Sequence, residues 1–154
     1  MVFPEEYFRA GAGSVIINEK GLTLALERSD IPGAWQLPQG GLDAGEEPLQ
    51  AALRETFEET GIPENALKLL DAYPEPLVYE LPVSARSVRN GRGQAQYWFL
   101  FRFCGSEALI DIVSGAEFRS WSWIPFRNLL ETVAEFRRPV YQRLAERFNA
   151  YLLD

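Results

Sequence analysis

With 154 residues, 47% of them hydrophobic and 13% aromatic, the chain has the size of one ordinary domain, 1–154, and enough apolar side chains for a substantial core. A net charge of −7 argues against an extended basic surface for DNA, long RNA or anionic membranes, but a few arginines or a bound cation can still receive a small phosphorylated substrate. The chain has no apolar run of membrane-spanning length, its acidic start MVFPEEYFRA lacks the core of a secretory signal, and it has no His for a Ser-His-Asp triad or a histidine zinc site; a cytoplasmic protein is expected.

The runs AGSVIIN at 12–18 and LTLALE at 22–27 are separated by Glu19, Lys20 and Gly21, which predicts a β-hairpin. Residues 35–37 form a short extended piece stopped by Pro38. From 48 to 60 the period changes: Leu49, Ala52, Leu53 and Thr56 fall at i, i+3, i+4 and i+7, a helix with one face on a core. Pro48 suits its first turn, Glu46 and Glu47 favour its N-terminus, and Gly61 followed by Pro63 stops it. Strands are expected at 67–73 and 76–81, a polar loop at 84–93, and further strands at 96–104 and 118–124. The lone Cys104, in WFLFRFC, is expected to be a buried reduced thiol. A short helix at 126–131 and a longer one at 140–152, with Val140, Leu144, Phe148 and Tyr151 on one stripe, complete the chain. Interleaved strands and helices place it in the α/β or α+β class with a mixed sheet.

Glu55, Glu58 and Glu59 lie at i, i+3 and i+4, so the helix carries three carboxylates in one narrow sector. Arg54 reaches Glu58 at i+4, yet one guanidinium cannot neutralise three acids, and the cluster asks for another cation. Hard oxygen ligands without Cys or His favour magnesium or manganese over zinc or copper. A solvated helix face would explain the triplet taken alone. The preceding Gly40 and Gly41, where a backbone can approach a metal or phosphate and a main-chain carbonyl can add an oxygen ligand, favour the metal reading.

Gly40, Glu46, Arg54, Glu55, Thr56, Glu58, Glu59, Gly61 and Ile62 match the pattern G-x5-E-x7-R-E-U-x-E-E-x-G-U, so the chain resembles the Nudix family. Thr56 is the one departure, standing where the family usually has a large aliphatic residue. The resemblance implies an α/β/α sandwich around a mixed sheet and hydrolysis of a nucleoside diphosphate linked to another moiety. It further implies divalent metal held by Glu55, Glu58 and Glu59 with the carbonyl of Gly40, and Arg54 orienting the glutamates.

WQLPQGGLDAGE, YELP at 79–82, GQAQYWFLF from Gly93, AEFRSWSWIP from Ala116 and FRRPVYQRL from Phe136 extend the likeness over most of the chain. They are similar to the branch of plant-type diadenosine tetraphosphate hydrolases and bacterial RNA 5′-pyrophosphohydrolases. By that likeness Glu117 reaches the metal centre from outside the box, Arg28 and Arg137 meet the phosphate chain, and Tyr79 and Phe136 stack a base. Glu58 or Glu117 is expected to take the proton of an attacking water. The leading expectation is Mg²⁺- or Mn²⁺-dependent cleavage of diadenosine tetraphosphate to ATP and AMP. Removal of pyrophosphate from the 5′ end of triphosphorylated RNA is the alternative, and a non-catalytic nucleotide-binding regulator is the reading from another class. No oligomeric state is read from the sequence.

Overall fold

A computed structural model describes residues 3–112 and 117–153 of the chain. In chain order the strands are β1 (Phe8–Ile17), β2 (Thr23–Arg28), β3 (Trp35–Gln36), β4 (Gln39–Gly41), β5 (Leu67–Ala72), β6 (Leu77–Glu80), β7 (Gly93–Phe103) and β8 (Phe118–Ile124). The helices are α1 (Pro48–Thr60), α2 (Phe126–Thr132) and α3 (Arg138–Arg147).

The sheet is mixed. Its main path runs β3-β2-β1-β7-β5, with β4 on β1, β6 on β7 and β8 on β2. β1 and β7 pair in parallel from Phe8↔Gly93 to Ile17↔Arg102, and the remaining pairs are antiparallel. Alternation along the central strands divides the core in two. Val15, Ile17, Trp98 and Leu100 join Leu129, Tyr141, Leu144 and Phe148 of the α2/α3 layer, all buried. Ile16, Leu24, Leu26 and Phe101 point to the other face, where Leu49 and Leu53 of α1 and Ile62 beyond it pack. Each such aliphatic side chain removed from water contributes about 1.5–3 kcal/mol, so both layers are held firmly to the strands that carry the site.

The expected hairpin closes at its turn only. Asn18 Oδ1 accepts the N–H groups of Lys20 and Leu22 at 3.0 and 3.1 Å, and Ile17 faces Thr23. Beyond that pair β2 turns away to β3 and β8, leaving β1 free to take β4 and β7. Strand β4 was not foreseen, since Gln39, Gly40 and Gly41 include no strong strand former; backbone pairing to Gly11, Ala12 and Gly13 makes it a strand. The last helix ends at Arg147 and a 3₁₀ turn follows at Asn149–Tyr151. Val140, Leu144 and Phe148 are buried as expected, whereas Tyr151 is exposed because the turn takes it off the stripe. The expectation of a buried Cys104 is corrected: β7 ends at Phe103, the apolar run outlasts the sheet, and the thiol is exposed. Among the described residues no helix is long and apolar enough to cross a membrane.

Candidate active site

Helix α1 has the predicted bounds. Gln50 Oε1 accepts the Glu47 N–H at its start, and at its end Gly61 adopts φ 76°, a left-handed conformation that costs an L side chain energy, with its N–H on Phe57 O at 2.8 Å. Small residues let the helix come close to the sheet: Ala51 and Ala52 pack on Ala12 of β1. The buried face is Ala51, Ala52, Thr56, Glu59 and Thr60, so the helix is rolled further toward its acids than the leucine spacing implied, and Leu49 and Leu53 sit half-buried at its border. This roll takes Glu59 into the interior, 8% exposed, while the Glu58 side chain remains 54% exposed.

Arg54 is the hub of the site. Its Nε and Nη2 fork onto the Glu46 carboxylate at 2.8 and 2.9 Å, Nη2 also reaches Gly41 O at 2.8 Å, and Nη1 donates to Glu55 at 2.8 Å and to Glu58 at 3.3 Å. A planar guanidinium can hold this many oxygens in fixed directions, which an ammonium cannot. The Arg54 guanidinium holds the Glu46 carboxyl down at about 2, and Glu46 in turn pushes the Arg54 pKa up. Glu55 lies against Gly40: a Cβ there would come within 2.0 Å of the Glu55 Cδ. Glu59 accepts the Gln39 N–H at 2.8 Å.

The carboxyls of Glu55 and Glu59 are both pushed up, chiefly by burial, with repulsion from Glu117 acting on each; Glu59 is raised well above the ordinary range. Glu117 is exposed and lines a recess of about 290 Å³ with Arg28, Ser29 and Asp30, its carbonyl accepting the Ser29 N–H at 2.9 Å. Among the described residues no group of three carboxylates is arranged to hold an ion. Glu55 and Glu58 lean on Arg54, and Glu59 on the Gln39 N–H. The donor chemistry nevertheless fits a divalent cation: every candidate ligand is a hard oxygen, Gly40 leaves room beside Glu55, and the crowded, partly desolvated acids would gain from added positive charge.

Of the other expected residues, Arg28 is engaged with Asp30 through two bonds of 2.9 and 2.7 Å. Arg137 donates from Nη1 to Gln36 Oε1 at 2.7 Å, lies over the Phe136 ring at 5.3 Å, and has a buried Nε with no partner among the described residues. It is close enough for its charge to lower the Glu59 carboxyl, opposing the effect of burial. Tyr79 and Phe136 meet with ring centroids 5.5 Å apart; Tyr79 is buried at 6% exposure, so Phe136, only half-buried, offers the accessible ring of the pair. Thus α1, β4 and the arginine hub bring the box residues together, while Arg28 with Glu117 and the Arg137–Phe136–Tyr79 group flank them.

The sequence reading did not single out Arg9, Gln39 or Glu27. Arg9 lies over Gly41, where a Cβ would come within 2.2 Å of its Nη2. Nothing local to Arg9 signals this, because only the β1–β4 pairing brings it there. Glu27 did carry a signal, an acid inside the apolar run LTLALE; it accepts the Gly33 N–H at 2.9 Å, Arg119 at 2.8 Å and the Ser120 hydroxyl at 2.7 Å.

The NUDIX domain family matches residues 7–144. The chain is 41% identical over 150 residues to an RNA pyrophosphohydrolase of Cereibacter sphaeroides, covering 94% of this chain and 93% of that one. It is 36% identical over 162 residues to Nudix hydrolase 26, chloroplastic, of Arabidopsis thaliana, covering 99% and 74% of the two chains. The fold is shared with an Ap4A hydrolase of C. elegans at a TM-score of 0.69 and 22% identity, over 92% of this chain and 98% of that one. Sequence, fold and the arginine-centred box therefore agree, and the chain belongs to the Nudix family of hydrolases.

Proposed function

We propose that the protein hydrolyses a phosphoanhydride bond in a 5′-polyphosphorylated nucleotide, and that its substrate is the triphosphorylated 5′ end of RNA, from which it releases pyrophosphate. The observation that carries hydrolysis is the Arg54 hub, which directs Glu46, Glu55 and Glu58 around Gly41 O. What favours the RNA end is the likeness, over 93% of its length, to a relative named for that activity. Overall acidity does not oppose it, since a single 5′ end needs only local cations, and Arg9, Arg28 and Arg137 stand around the site.

Glu55, Glu58 and Glu59, the carbonyl of Gly40 and Glu117 are the groups assigned to hold divalent metal, Mg²⁺ or Mn²⁺. When bound, such an ion would draw charge from phosphoryl oxygens and acidify a water. Glu58, exposed at the rim, or Glu117, in the recess beside Arg28, takes the proton of the attacking water. Arg54 keeps the glutamates in register. Arg137 receives phosphate oxygens, and Arg28 joins it by exchanging Asp30 for the substrate. Phe136, backed by Tyr79, presents an aromatic face to the base.

Cleavage of diadenosine tetraphosphate to ATP and AMP is the second reading, favoured by the Tyr79–Phe136 pair and by the similarity of GQAQ and its neighbours to the plant-type hydrolases. The deciding experiment compares kcat/KM on a 5′-triphosphate oligonucleotide and on diadenosine tetraphosphate, with Mg²⁺ and with Mn²⁺, and identifies products by chromatography. Pyrophosphate released with preference from the oligonucleotide is the expected result. Preference for the dinucleotide replaces the first reading by the second, and no turnover of either substrate with either ion removes both.

A further inference from the structure

Thr56, the one departure from the family pattern, has a partner that the sequence pattern does not reveal. Its hydroxyl donates to Ser14 Oγ at 2.9 Å, and the Ser14 hydroxyl donates onward to Ala52 O at 3.5 Å. Both side chains are 0% exposed. One turn further, Thr60 Oγ1 donates to Thr56 O at 2.6 Å and accepts the Ile62 N–H at 3.2 Å. Three buried hydroxyls are thus all partnered, and two of the bonds, Thr56 to Ser14 and Ser14 to Ala52 O, join α1 to β1 across the helix–sheet seam.

An aliphatic pair in this place would pack without directional preference, so the helix could roll a little while keeping most of its contact. A hydrogen bond tolerates much less, since it weakens steeply with angle and distance and leaves buried groups unpaired when broken. Thr56 follows Glu55 directly and precedes Glu59 by one helical turn. A roll of α1 that parts Thr56 from Ser14 therefore also swings Glu55 away from Gly40 and Glu59 away from the Gln39 N–H.

We propose that Ser14 and Thr56 form a positioning pair that fixes the roll of α1 on β1, and with it the directions in which Glu55 and Glu59 present oxygens to a divalent cation. This rests on the reading of those glutamates as metal ligands. The polar pair replaces non-directional packing, so its effect is on geometry more than on stability.

The test uses the full chain and Mn²⁺ alone, with binding followed by water-proton relaxation well below the unfolding temperature and Tm measured separately. Ser14→Ala leaves the Thr56 hydroxyl without its acceptor and lowers both Tm and Mn²⁺ affinity. The double variant Ser14→Ala/Thr56→Val, with both polar partners removed, recovers Tm toward that of the parent yet binds Mn²⁺ about fivefold more weakly, a coupling within the range for residues of one hydrogen-bond network. Thr56→Ser behaves in the opposite way: losing a buried methyl lowers Tm, while the retained hydroxyl keeps Mn²⁺ affinity at the parent level. A double variant that binds Mn²⁺ as the parent does, or an affinity that simply follows Tm across the variants, overturns the positioning role and leaves the proposed hydrolase intact. A parent protein that takes up no Mn²⁺ overturns both.

Discussion

Glu58 and Glu59 are consecutive in sequence and opposite in environment, one at the rim and the other inside, and this difference decides what each substitution does. Glu58→Gln removes the assigned proton acceptor from an exposed position, so kcat should fall about a hundredfold or more with Tm unchanged. A folded variant with near-normal turnover would return the proton to Glu117. Burial, and then the charge of Glu117, raise the Glu59 carboxyl well above its ordinary value. A raised carboxyl makes the ionised form a burden on the folded state above its folded pKa, and that burden fades as pH falls toward the ordinary 4.5. Glu59→Gln should therefore raise Tm of the metal-free protein at neutral pH, with the gain shrinking on acidification, while abolishing activity; a lower Tm at neutral pH would show that the carboxylate stabilises the fold. Gly40→Ala sets a Cβ within 2.0 Å of the Glu55 Cδ, and the Mg²⁺ concentration for half-maximal activity should rise as Glu55 is displaced. Unaltered Mg²⁺ dependence would remove Glu55 from the ligand set.

Between elements, the most telling join is Glu27, which ties β2 to the turn at Gly33 and to β8 at Arg119 and Ser120. The β2–β8 register shifts between Glu27 and Arg28, so Arg119 is the extra residue of a bulge, two positions after Glu117 and between the Glu27–Ser120 and Arg28–Phe118 pairs. Arg119 above all, then Ser120 and the Gly33 N–H, hold the Glu27 carboxyl at about 2 against an ordinary 4.5. A depressed carboxyl contributes stability that is complete above 4.5 and is lost as pH falls through about 2. Urea unfolding across that window should show the parent losing stability more steeply than Glu27→Gln; parallel curves would mean that the clamp contributes nothing. At this scale α1 could be read from the sequence because its period, its proline and its glycine are local. Strand β4 could not, because Gln39, Gly40 and Gly41 become extended only where β1 supplies backbone partners.

For the molecule as a whole, folding and metal binding are linked through the same acids. A ligand that binds only the folded state at 100 times its Kd adds about 2.7 kcal/mol, so Mg²⁺ should raise Tm of the parent and do so much less in Glu59→Gln. Chelation by EDTA should stop turnover, and Mg²⁺ or Mn²⁺ should restore it. Turnover that persists under chelation would end the metal-dependent reading. The fold class was legible from interleaved strands and helices, whereas the layers were implied only by the family resemblance; in the structure the two-residue strand period divides them, with Val15 and Ile17 on one face of the sheet and Ile16 on the other.

By itself the sequence determined what is carried in local order: the bounds of α1, the three acids in one sector of it, Arg54 within reach, and the spacing that marks the family. The tertiary structure alone decided how far α1 rolls into the sheet, burying Glu59 with Thr56 on Ser14, and that Arg9 reaches Gly41 while Cys104 falls beyond the edge of β7. The physical reason is that periodicity states which residues share a face, whereas depth, partner and electrostatic environment depend on which distant strand lies against that face.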